Sequence, residues 1–210
     1  MKGLILNNFY SVKKSVKSSS LLTVVAVVLL FLTNQSAALK LAAFLPFVLI
    51  PVHAFEVLKY DAMSGWNKYE LVLPVTRERI VESKYLTFIL LIILSFLLVF
   101  SIAFSIHMLM FPTIHSIFIN YLLRGMGLII CIASFIYPLT YKLGIEKSDS
   151  IMMGSVVFSL GMFFVIDFML EMIDVEGFDE KFSSIFFIVS ILFLIISYVV
   201  SINIYKNKEF

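Results

Sequence analysis

Six long apolar runs divide this chain, with short polar stretches between them. They cover about Ser20–Ala38, Leu41–Leu58, Tyr85–Phe111, Ile117–Thr140, Ile151–Ile173 and Ser184–Ile204. A helix crosses a bilayer with about 20 apolar residues at about 1.5 Å each. Backbone in hydrocarbon must satisfy its own hydrogen bonds, so each run predicts a helix, β-branched residues included. The expected fold is all-α: a polytopic membrane protein with six transmembrane helices, forming one domain over residues 1–210. The first run is the weakest, because its strictly apolar part ends near Leu32. The third exceeds the bilayer and predicts tilt or an extension beyond it. Pro46 and Pro51 predict a bend in the second.

Two polar-flanked elements add to this frame. In residues 1–19, Ile5, Phe9, Val12 and Val16 fall on one helical face, and Lys13, Lys14 and Lys17 fall elsewhere. That pattern predicts a basic amphipathic helix lying in the membrane interface. Residues 59–84 form the longest polar segment between runs. Asp61 or Ser64 can cap a short helix there, with Met63, Trp66, Tyr69 and Leu73 recurring on one side. Pro74 ends that helix, and Thr76 can cap the next, with Glu78 in its first turn. The segment therefore predicts two short helices meeting at Leu73–Thr76. Its aromatic edge fits a protein partner or the lipid headgroups equally well.

Composition places the chain in a membrane. It is 61% hydrophobic and 14% charged, where soluble domains average about 45–50% and about 25%. Net charge is +2, which gives no argument for nucleic acid. The distribution of cations says more. With the N-terminus inside, Lys2, Lys13, Lys14, Lys17, Lys59, Lys68, Arg77, Arg79, Lys84, Lys142, Lys147, Lys206 and Lys208 all fall inside. Only Lys40 and Lys181 fall outside. Both termini are therefore expected in the cytoplasm. Lys13–Lys17, the next apolar run and Ser36–Ala38 resemble a signal peptide, but apolar sequence resumes at once, so an uncleaved first span is expected.

Candidate chemistry is sparse. There is no phosphate-cradling GxxxxGK[ST] loop, no HExxH, no GxSxG and no Cys/His cluster with ligand spacing. No metal is expected, and Cys131 reads as a small buried apolar residue. His107 and His115 flank the outer ends of spans three and four. His53 and Glu56 are three apart on one face of span two, as a hydrogen-bonded pair or part of a polar path. Arg124 in span four and Asp167 and Glu171 in span five are charges inside apolar runs, where bare charge is costly. Arg124 is expected to pair with Asp167, within one chain or across a dimer. Gly125 and Gly127, and Gly154, Ser155, Ser159 and Gly161 in span five, predict close helix packing.

The stretch "GWNKYELVLPVTRERIVESKYL" resembles the signature loop of type-2 ATP-binding-cassette (ABC) permeases. The matching residues are Trp66, Lys68, Tyr69, Glu70, Leu73, Pro74, Val75, Arg77, Ile80, Val81, Lys84 and Tyr85, with Thr76 where Ser or Thr is usual. The opening "MKGLILNNFYSVKK" resembles the N-terminal connecting helix of those proteins. The resemblance implies that the loop is a coupling helix seated on a separate ATPase subunit. The implied contacts are Ser64, Trp66, Asn67, Tyr69, Glu70 and Leu73, with Pro74, Val75, Thr76 and Arg77 at the elbow. It further implies a second permease subunit, identical or different, and ATP and Mg in the ATPase partner, with no cofactor in this chain. The short bacterial members point to export of amphipathic or antimicrobial-type peptides. Two other classes stay open. One is an ion- or proton-coupled secondary transporter or channel using Arg124, Asp167 and Glu171. The other is a non-transporting peptide-immunity protein.

Overall fold

The computed structural model describes residues 2–33, 35–70, 72–109, 116–173 and 177–208. The described residues form eight α-helices and no strand. They are α1 (Lys2–Leu32), α2 (Ser36–Leu49), α3 (His53–Met63), α4 (Trp66–Glu70), α5 (Arg77–Leu109), α6 (Ser116–Leu143), α7 (Ser148–Met172) and α8 (Phe178–Lys206). A short 3-10 turn, Ile145–Lys147, joins α6 to α7. Six spans are long and apolar enough to cross a membrane, with α2 and α3 together making the second. The six-helix expectation therefore holds.

The boundaries differ in informative ways. The amphipathic N-terminal segment is not a separate helix. It continues without a break into the first span as α1, since nothing between Leu4 and Leu32 is a proline or glycine. Span two breaks between Leu49 and His53, where Pro51 removes a backbone donor. Pro46 sits inside α2 without ending it. His115 and the side chain of His107 lie outside the described residues, as does Phe111 at the end of the expected third run.

Helix α6 is the centre. It packs against α8, α2 and α7, while α1 packs on α2 and α5. In its apolar window 67% of residues are buried, against 17% in α1 and in α7. The outer faces of α1 and α7 are thus left for lipid or for another protein. Polar residues in the core are mostly small hydroxyls that bond back into their own helix. Ser95 donates to the Leu91 carbonyl, Ser134 to Ile130, Ser155 to Ile151 and Ser190 to Phe186. This satisfies them in a medium that offers no water.

The α6–α8 contact depends on lack of bulk. A Cβ on Gly127 would lie 2.8 Å from the ring of Phe186. That ring is 1% exposed and is held between Phe163 and Phe182 at centroid distances of 5.2 and 6.0 Å. A Cβ on Gly125 would meet Phe47 at 3.1 Å and Phe44 at 3.2 Å, a milder conflict. Gly154 and Gly161, expected to pack closely, face open space in the single chain. Gly127→Ala is therefore expected to destabilise the protein by about 1–3 kcal/mol through overpacking. It should do so although alanine is the better helix former by about 1 kcal/mol. Gly125→Ala should cost less. Thermal unfolding of both variants in detergent checks the order.

Candidate functional site

The residues between spans two and three do not form a free-standing loop. Helix α3 runs on to Met63, so Asp61 is inside a helix rather than at its cap. Gly65, with φ +73°, then turns the chain by a conformation that side chains resist. The Ser64 hydroxyl accepts from the Trp66 N–H at 3.4 Å and donates to the Tyr60 carbonyl at 2.7 Å. Neither expected residue stands at the N-cap of α4: Ser64 closes α3 as its C-cap, and Gly65 directly precedes Trp66. Helix α4 is a turn and a half long, and Pro74 lies in the bend that follows. Helix α5 begins at Arg77, and the Thr76 carbonyl takes its first bonds, from Arg79 and Ile80.

What holds this segment is one buried ammonium. Lys84 on α5 donates to Asn8 Oδ1 of α1 at 2.8 Å, to Asp61 Oδ2 of α3, and to Glu70 Oε1 of α4 at 3.1 Å. The side chains of Lys84, Asp61 and Glu70 are 4%, 6% and 2% exposed. An ammonium has three protons, and all three are used. Asn8, fully buried, turns its amide donors to the Ser83 carbonyl at 3.3 Å and to Thr87 Oγ1 at 3.1 Å. Trp66 Nε1 donates to Glu70 Oε1 at 2.7 Å and its ring stacks on Tyr69.

Glu70 must therefore be moved from the expected partner contacts to the interior. It follows Trp66 by four residues, one helical turn, so the two share a face, and that face is drawn in by Lys84. Trp66 and Asn67 are half-buried, and Tyr69 stays exposed at 59%. Met63 and Val72 are more exposed still, at 84% and 81%; Met63 belongs to the side expected to meet a partner or the headgroups, and Val72 falls within the same stretch without being singled out by that pattern. Ser64, Pro74 and Thr76 are exposed, and Leu73 and Val75 half-buried. Arg77 is exposed but engaged. Its Nη1 donates to the carbonyls of Lys206 at 2.7 Å and Lys208 at 3.1 Å, closing the end of α8. Glu78 and Lys206 form an ion pair beside it.

Tyr85, the next residue after Lys84, points to the other half of the bundle. Its hydroxyl meets Ser197 at 2.7 Å and Ser201 at 2.8 Å on α8, and its ring stacks on Tyr137 of α6 at 4.4 Å. Tyr137 in turn donates to the Lys84 carbonyl at 3.3 Å. Next to α4 a cleft of about 730 Å3 is lined by Asp61, Glu70 and Lys84 together with Tyr141, Glu146 and Lys208.

The intramembrane polar residues fall into separate places. Arg124 pairs within the chain not with Asp167 but with Asp179 at the start of α8. Its Nη2 reaches Asp179 Oδ1 at 2.6 Å, and its Nε donates to Ser183 at 2.9 Å. The guanidinium also lies over the rings of Tyr121 and Phe182. Asp179 follows Phe178, the first residue of α8, and its carboxylate is the one that Arg124 reaches. Asp167 is half-buried and Glu171 exposed, and neither has an ion-pair partner among the described residues. His53 Nδ1 meets Glu56 Oε2 at 2.8 Å, as its spacing predicts, and its Nε2 meets Ser19 Oγ of α1 at 2.6 Å. This order of atoms is that of a Ser-His-acid triad. Ser19, however, lies mid-helix, where neighbouring N–H groups are spent on helical bonds and cannot hold an oxyanion. The trio ties α1 to α3.

Against known proteins, a family model described as ABC-2 family transporter protein matches residues 3–206. No curated protein and no solved structure matches the chain.

Charge counting around Lys84 gives a test. Lys84→Met leaves two buried carboxylates without a cation and is expected to cost about 3–5 kcal/mol. Glu70→Gln leaves one ammonium against one carboxylate and keeps the indole bond, so it should be near neutral at pH 7. Burial raises the Glu70 carboxyl above its ordinary range, and Asp61 adds to the rise against the pull of Lys84. The folded state therefore holds that proton longer than the unfolded chain does. Between the ordinary value of 4.5 and the raised one, increasing pH lowers stability. Wild type should lose stability relative to Glu70→Gln as pH climbs through that window, and unfolding in detergent at stepped pH reads the difference.

Proposed function

The chain belongs to the ABC-2 family of transporter proteins, and on that premise we propose that it is the permease of an exporter driven by a separate ATP-hydrolysing subunit. The observation that carries this reading is the wiring of α4. A five-residue helix on the surface is tied through Glu70 and Lys84 to α5, α3 and α1 at once. Beside it Met63, Tyr69 and Val72 expose apolar surface. A push on that surface would reach three helices through one charged node, as a rigid-body switch requires. ATP and Mg belong to the partner, and this chain supplies the path.

Further parts of the reading have their own support. The excess of Lys and Arg at the loop and terminal ends supports cytoplasmic termini in the cell membrane. A second permease copy, identical or different, would cover α7. That helix is little buried, its Gly154 and Gly161 face open space, and its Asp167 has no ion-pair partner among the described residues. The cargo we assign is an amphipathic peptide of antimicrobial type, a choice supported by exposed aromatic side chains such as Phe100, Phe104, Phe158, Phe164 and Phe168. A charge-driven secondary transporter is less supported, because Arg124, Asp167 and Glu171 do not converge.

The loop is tested by truncating its exposed edge while leaving Glu70, Lys84 and Arg77 in place. Tyr69→Ala combined with Val72→Ala should weaken co-purification with the ATPase subunit at least about tenfold, near 1.4 kcal/mol. ATP hydrolysis by the complex should lose its response to cargo. Full recovery of the complex with unchanged hydrolysis would sink the coupling role.

A further inference from the structure

We propose that the cleft next to α4 receives the guanidinium or ammonium of an arginine or lysine side chain, carried by the protein that sits on the loop. This rests on the reading of the loop as the ATPase-binding element, and it specifies the chemistry of that contact. The cluster at the head of the cleft has two carboxylates and one ammonium. Lys84 uses Asp61 Oδ2 and Glu70 Oε1. Among the described residues, nothing donates to Asp61 Oδ1 or Glu70 Oε2. Glu146 brings a third carboxylate to the lining. Lys208, also part of the lining, donates to the Tyr141 carbonyl at 2.9 Å. With Lys84 and Lys208 set against the three acids, the lining carries three carboxyl groups to two ammonium groups.

An independent observation concerns Tyr141. It lines the same cleft, is 8% exposed, and its hydroxyl has no hydrogen-bond partner among the described residues. A buried hydroxyl without a partner is uncommon, because the lost bond to water is not replaced. A guanidinium entering the cleft would give donors to this oxygen and to the free carboxylate oxygens together. Leu58, Ile80 and Ile145 supply apolar wall for the aliphatic stem that Lys and Arg carry. A metal ion fits poorly, since Lys84 already places a positive charge between the two carboxylates. The volume, about 730 Å3, admits a side chain easily. Met63, at the rim, is among the most exposed apolar residues of the chain, and Tyr69 and Val72 lie close by in sequence. A desolvated charge ringed by apolar contacts is the arrangement that gives an interface its strongest points.

The chain has its own reporter. Trp66 is the only tryptophan, and its indole N–H sits on Glu70. The purified full-length chain in uncharged detergent is titrated with N-acetylargininamide, N-acetyllysinamide and the neutral isostere N-acetylcitrullinamide, with Trp66 emission as the readout. The two charged probes should give a saturable change, and the citrulline probe should need about tenfold more, as expected when a charged hydrogen bond is lost. Glu70→Gln, which keeps the indole bond, should weaken the charged response by about tenfold. Tyr141→Phe should weaken it by about threefold while leaving thermal stability at or above wild type, since it removes only an unpaired hydroxyl. Equal responses to the arginine and citrulline probes, or undiminished responses in Glu70→Gln, would overturn the proposal. If the ATPase still co-purifies in that event, the cleft assignment alone falls and the loop reading stands. Loss of co-purification in Tyr69→Ala/Val72→Ala with the probe response intact supports both.

Discussion

The structure turns on where a single ammonium can be put. Lys84 lies one and a half to two turns inside α5, at a depth where a bare charge would be expelled from apolar surroundings. It is retained because each of its protons has an acceptor, and each acceptor comes from a different helix. That requirement fixes the approach of α1, α3 and α4 to α5 within hydrogen-bond tolerance. It also explains why an asparagine is buried in an otherwise apolar face of α1. Asn8 alone offers an acceptor to Lys84 and donors to Ser83 and Thr87. A buried ion cluster of this kind adds little net stability compared with a well-packed apolar substitute. What it adds is a defined geometry: removing Lys84 leaves two buried carboxylates without a cation, and removing Asn8 leaves one ammonium proton without its acceptor.

Lys84 and Tyr85 are about 100° apart around the helix axis. The first therefore faces α1, α3 and α4, and the second faces α6 and α8. One dipeptide joins the peripheral helices and the loop to the central packing unit. On the far side the join is neutral and close. Ser197 and Ser201 share hydrogen bonds with the phenol of Tyr85 without adding bulk, and Ser183, Ser190 and Ser197 recur every seven residues on the buried side of α8. The two joins differ in character. The charged one is directional and sensitive to protonation at Glu70. The hydroxyl and aromatic one is short-range and rigid.

Much of this order was legible in the chain. The six apolar runs fixed the helices because a bilayer leaves the backbone no alternative, and Pro51 marked the break in span two. The His53–Glu56 pair followed from its spacing. The loop's interior was not legible in the same way. Glu70, among lysines and asparagine, reads as a solvated surface residue, and only the tertiary approach of Lys84 shows it to be buried. Asp61 reads as a cap because it follows an apolar run, yet α3 simply continues past it. Arg124 was rightly seen as a charge needing a partner. Spacing along separate helices does not say which carboxylate arrives, and Asp179 at the mouth of α8 wins over Asp167. The serines at Ser183, Ser190 and Ser197 of α8 are a further signal in the chain, and they mark a packed face better than the glycines of α7 do.

The charge balance at the node bears on how movement would pass through it. A neutral cluster would resist separation of any of its members equally. Here the second carboxylate is in excess, and burial already disfavours its ionised form. Glu70 is the weaker-held of the two acids, since its contact with Lys84 is the longer. Displacement of α4 would thus stretch the Glu70 contact first, while Asp61 keeps α3 and α5 together. Arg77 holds α5 to the end of α8, and Lys59 holds α3 to Asp149 of α7 at 2.5 Å. Tyr85, stacked on Tyr137 at 4.4 Å, keeps α5 against α6 beside the same node.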